Sequence, residues 1–265
     1  MSDDSSKKPF WRRLKGKQKS LNKPPKNFGG PVKVIATTVL IFIVSQLVAA
    51  LLVGITVGIA HPGTEVHVLD GSTPLEFVYV LIAEAIAVSM VWLALRGRGL
   101  GLASIGLGRA PAWKDIKKGL LGFGAFYVVL IIVVMVITAL IPALNTDQKQ
   151  DVGFQALNTS LDQVLAFVAL VILPPLGEEV LVRGYLYSGL RSRLKFLPAL
   201  LATSLIFGAA HLQFGDGAPL LWAAALDTFL LSVVLVYLRE KTGALYAGML
   251  IHMLNNLIAF GVHFK

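Results

Sequence analysis

The chain is dominated by uninterrupted apolar runs of roughly 20 residues, the length a helix needs to cross a hydrocarbon core of about 30 Å. Runs of this kind are helices, since membrane-spanning strands would show about ten-residue alternation instead. Composition points the same way. Of 265 residues, 55% are hydrophobic and 15% charged, against about 45–50% and 25% in soluble domains, and the mean hydropathy is +0.73. The expected fold is an all-α, polytopic transmembrane helical bundle. The chain contains no cysteine, which excludes disulfides, a thiol nucleophile, Cys-ligated zinc and cysteine lipidation.

Seven spans are expected: about 32–60, 75–95, 119–141, a fourth from near 164 to the basic cluster Arg191, Arg193 and Lys195, then 196–212, 220–238 and 243–262. Nine of the 24 Lys and Arg residues lie in the first 30 positions. That segment is expected to be a disordered tail that faces lipid headgroups and sets topology, not a nucleic-acid site. Nearly every other basic residue falls on the same side of the spans, with Lys149 and Lys265 as exceptions. The positive-inside rule then places the N-terminus in the cytoplasm. The transmembrane domain is expected to occupy residues 31–265. Gly54 and Gly58 have the small-xxx-small spacing of helix contacts.

Within these apolar runs sits "PPLGEEVLVRGYL", residues 174–186, with two glutamates and an arginine where charge is costly. The proline pair is expected to break the fourth span and start a new helix at Pro175. From the basic turn near Arg193 back to Glu178 is roughly 24 Å, and forward to His211 roughly 25 Å, at 1.5 Å per residue. An antiparallel hairpin therefore brings Glu178 and His211 level. His252 and Asn256, four apart on one helix face, fall in the same depth band. Glu179 and Arg183 are also four apart, acid first, the better order for a helical ion pair. Adjacent helical residues point about 100° apart, so Glu178 is left without that partner and free for acid–base chemistry. Glu84 and Asp227, also inside expected spans, are either supporting partners, pathway residues or simple interhelical pairs. His61, His67 and His263 carry no assigned role.

"EEVLVR", "FGAAH" and "HMLNN" resemble the EExxxR, FxxxH and HxxxN motifs of the CPBP family, the CAAX-protease and bacteriocin-processing (Abi, type II CAAX prenyl endopeptidase-like) intramembrane proteases. All three occur in the family's order, over roughly residues 160–262. The resemblance implies a hydrolase that cleaves a peptide bond in a membrane-associated protein or peptide. Glu178 and His211 would activate water, and His252 and Asn256 would stabilise the oxyanion. Glu179 and Arg183 would hold the site together, with Phe207 packed beneath His211.

The family is commonly described as metalloproteases, and Glu178, His211 and His252 would be the ligands of a bound zinc. No HExxH pair is present, however, and Asn256 is a better hydrogen-bond donor than zinc ligand, so no metal cofactor is the favoured expectation. Two other functions fit the same spans: a non-catalytic immunity or chaperone-type protein, and a small transporter with Glu178 and Glu84 as a proton relay. The expected partners are the bilayer and a peptide substrate, with no nucleic acid. A bacterial plasma membrane is the expected location.

Overall fold

A computed structural model describes residues 24–60, 72–142, 148, 152–154, 157–212 and 222–264. Among the described residues seven helices carry the fold: α1 (Pro31–Ala60), α2 (Thr73–Arg96), α3 (Trp113–Leu140), α4 (Ser160–Arg193), α5 (Phe196–Ala209), α6 (Trp222–Thr242) and α7 (Tyr246–His263). No strand occurs among the described residues. Helices α1, α2, α3, α4 and α6 are long and apolar enough to cross a membrane, and the protein is a helical membrane bundle. The fifth span was expected to reach Leu212, but α5 stops at Ala209. Its 14 residues cover only about 21 Å.

Helix α4 is the axis of the bundle. In its most apolar window 44% of residues are buried, against 6% for α3, so α3 turns most of its surface to lipid. Helices α1 and α2 pair on one side of α4, and α5 and α7 pack on it from the other; α3 leans on α6 and α7. The polar links between spans are few. Tyr79 of α2 donates to Gln46 of α1 at 2.5 Å, a bond worth about 0.6 kcal/mol on average in a membrane. A Cβ at Gly54 or Gly58 would meet no atom within 4 Å among the described residues, so the small-xxx-small spacing joins no helices there.

The expected disordered tail, residues 1–30, includes a described stretch that is folded. Residues 1–23 lie outside the described residues, as do His61, His67, Lys149 and Lys265. Lys26–Phe28, however, form a helical turn. Phe28 is fully buried, edge-on to Tyr185 at 5.8 Å, and Arg193 donates to the Lys26 carbonyl at 3.1 Å. Lys26–Phe28 is therefore part of the folded protein, because an aromatic side chain docks on α4.

The proline pair does not break α4. The helix instead widens just before it, over Val168–Ile172, where the Leu173 N–H reaches back five residues to the Val168 carbonyl. A proline ring clashes with the carbonyl four residues earlier in an α-helix. A π-turn relieves that clash and keeps the helix continuous, which is how bundle helices tolerate such residues.

Candidate active site

The prolines that follow the widened turn leave the Leu170 carbonyl in need of a partner. The Leu170 carbonyl would accept from residue 174 in an α-helix or residue 175 in a π-helix, and both are prolines without an N–H. Asn256 of α7 fills the gap, its Nδ2 donating to Leu170 O at 2.9 Å. One amide N–H of Asn256 thus ties α7 to α4, and its second remains.

A second π-turn spans Glu179–Leu186, closed by Tyr187 N–H to the Val182 carbonyl. It carries the ion pair: Arg183 Nη1 lies 2.8 Å from Glu179 Oε1, with the side chains 0% and 1% exposed. Helix α7 approaches this pair closely because position 248 is glycine; a Cβ there would lie 2.8 Å from Glu179 Oε2. Its His252 sits between both acids, Nδ1 at 3.4 Å from Glu179 Oε1 and Nε2 at 3.7 Å from Glu178 Oε2. The longer of these exceeds a direct hydrogen bond and matches a charge contact or a water-bridged one. Phe207 packs at the centre: the Arg183 guanidinium lies 4.0 Å over its ring, the His211 ring is 4.7 Å away, and the His252 ring meets it edge-on at 6.0 Å.

His211 lies on the turn just beyond α5. Its Nδ1 is 2.8 Å from the Phe207 carbonyl. A carbonyl only accepts, so Nδ1 carries the proton and Nε2 is left as an acceptor, the arrangement that fixes a histidine's tautomer. Glu178, His211, His252 and Asn256 all line one cavity of about 310 Å³, at the lower end of small-ligand site volumes. Glu178 is the part-exposed acid, 28% against 1% for Glu179, so it faces the cavity while its neighbour is locked in the protein.

Two further acids surround the cavity. The Glu84 carboxylate presses on the backbone of Gly177, where any Cβ would collide with it, and it feels the charge of Glu178. On the other side, Asp227 lies within electrostatic reach of Asn255, His211 and His252. Tyr127 OH in turn donates to Asn255 Oδ1 at 3.0 Å. His263, to which no role was assigned, also lines the cavity. The signal for it was available: positions 252, 256, 259 and 263 recur at helical spacing and lie along one face of α7.

A zinc site fits these residues poorly. No group of three His, Asp or Glu side chains among the described residues comes together closely enough to hold a metal ion, and Nδ2 of Asn256 already donates to a carbonyl.

Residues 160–258 match the Rce1-like family, described as type II CAAX prenyl endopeptidase Rce1-like. An uncharacterized 24.3 kDa protein of Escherichia coli is 39% identical over 95 residues, 35% of this chain and 41% of that protein. The chain thus spans about two fifths of the length of the curated relative it matches. No solved structure matches the chain. The family match runs from the first turn of α4 through His252 and Asn256 and so takes in Glu178, His211, His252 and Asn256, though not His263. Residues 160–258 are thus similar to the Rce1-like, type II CAAX prenyl endopeptidase family.

Proposed function

We propose that the protein is an intramembrane endopeptidase that hydrolyses a peptide bond of a membrane-associated protein or peptide with a water activated by Glu178 and His211. The observation that carries this reading is the convergence of Glu178, His211, His252 and Asn256 on one cavity. The Glu178 carboxylate and the bare Nε2 of His211 supply two acceptors for the protons of a water between them. The resulting hydroxide attacks the substrate carbonyl. His252 and the second amide N–H of Asn256 donate to the oxygen on which negative charge develops, in a cavity of low dielectric where such bonds are strong. The abstracted proton then passes to the departing amine. Every group in this sequence belongs to the chain, and no step needs a metal.

Glu179 and Arg183 position rather than react. Together they present His252 to the cavity, and Arg183 braces Phe207 beneath His211. The test is cleavage of membrane substrates in cells, compared by terminal-peptide proteomics for wild type, Glu178→Ala and His211→Ala. The expected result is loss of the same cut fragments in both variants, with normal membrane insertion. Unchanged fragments in both variants would refute it. Metal analysis of the purified protein and activity after chelation test the metal-free step, which stoichiometric zinc required for turnover would overturn.

A further inference from the structure

Helix α6 forms the floor of a second cavity, remote from the first and about twice its size, about 640 Å³. Helix α3 walls it on one side, and Leu200 of α5 closes the other. Its apolar lining comes mainly from Leu121, Ala125, Val233, Val234 and Leu200. None of these side chains offers a hydrogen-bonding group. A peptide lying there would strand its backbone amides without partners, at a cost of a few kcal/mol each, whereas a hydrocarbon chain would lose nothing.

The polar groups gather at one end. Lys118, near the start of α3, and Lys241, at the last turn of α6, both line the cavity. The two helices run in opposite directions, so the groove leads from this basic end toward the membrane interior. It extends about 10 Å along α3 from Lys118 to Ala125 and about 12 Å along α6 from Lys241 to Val233. Tyr237 lies beneath Lys241, whose Nζ is 5.3 Å from the ring centre, and Trp113 is 66% exposed one turn before Lys118. Exposed Trp and Tyr side chains mark headgroup depth. The acids at this end are engaged elsewhere: Asp115 binds Arg109 through both oxygens at 2.6 Å, and Glu240 binds Tyr187 and Arg191. Among the described residues neither lysine forms an ion pair.

We propose that this groove is a binding site for an anionic phospholipid, with an acyl chain laid along the α6 floor and the phosphate held between Lys118 and Lys241. Basic pockets between spans bind anionic headgroups in this way. The site is independent of the peptidase assignment, since it shares no residue with the first cavity. A lipid seated here would supply packing that α3, mostly open to the bilayer, does not obtain from protein.

The experiment is lipid titration of the full chain in detergent micelles, with phosphatidylglycerol or phosphatidylcholine as the probe and bound lipid counted by native mass spectrometry. Each lysine beside an anionic headgroup corresponds to about fivefold in affinity. Wild type is therefore expected to prefer phosphatidylglycerol by about twenty-five-fold, and Lys118→Gln/Lys241→Gln to lose that preference. Lys114→Gln/Lys117→Gln, which alters exposed lysines of the same helix outside the groove, is expected to keep it. Ala125→Trp fills the groove without changing charge and is expected to displace both lipids. Equal binding of both lipids to wild type would overturn the proposal. Retention of tight phosphatidylglycerol binding by Ala125→Trp would overturn it too, because the headgroup would then be adsorbing to lysines alone.

Discussion

Replacing Asn256 with alanine removes the one donor seen on the Leu170 carbonyl, a group that Pro174 and Pro175 deprive of any helical partner. A buried acceptor left unpaired costs about 1–3 kcal/mol. Leu170 borders the cavity and water can reach it, so about 1–2 kcal/mol is expected. Pro174→Ala restores an N–H four residues ahead of Leu170. In that background Asn256→Ala should be nearly free, and a double-mutant cycle should show a coupling of about 1 kcal/mol. Unfolding of the purified protein in micelles, monitored by heat or denaturant, reads the coupling without reference to proteolysis. Strict additivity of the two changes would refute the account of why α4 and α7 are joined here. Cleavage measured on the same four proteins separates the two roles of the amide. If its second N–H stabilises the oxyanion, Pro174→Ala/Asn256→Ala will regain stability but not activity.

Other substitutions probe the surroundings. Arg183→Ala strands Glu179 in a dry interior and should cost about 3–5 kcal/mol of stability, while Glu179→Gln/Arg183→Met, which removes both charges, should cost markedly less by thermal unfolding. Gly177→Ala forces a methyl into the Glu84 carboxylate and should destabilise by about 1–3 kcal/mol; Glu84→Ala should relieve it, and equal losses in both backgrounds would show that the contact does not matter. Asp227→Asn keeps shape and removes the charge beside His211 and His252, so kcat for peptide cleavage should fall about tenfold with the unfolding temperature unchanged.

Much of the frame was legible because lipid imposes simple rules. Apolar length sets helix ends to within a few residues, and the four-residue spacing that pairs Glu179 with Arg183 corresponds to a 2.8 Å ion pair. Counting rise from the basic turn was enough to bring Glu178 and His211 to one level, and both line one cavity. The Pro174–Pro175 pair was misjudged because proline's local rule assumes α geometry, whereas surrounding helices hold α4 together through a wider turn. Nothing local could have paired Asn256 with Leu170, or Glu84 with Gly177. Those contacts depend on how α7 and α2 lie against α4, and the relevant residues are 86 and 93 positions apart.

The wide turn at Val168–Ile172 also makes α4 unequally sensitive to changes of length. A π-turn is an α-helix that has taken in one extra residue without turning the segments on either side of it. Excising a single amino acid there would bring back the proline clash but leave both glutamates facing as before. The same excision in the α-helical turn after the prolines has no surplus residue to draw on, and everything beyond the cut would swing by about 100°.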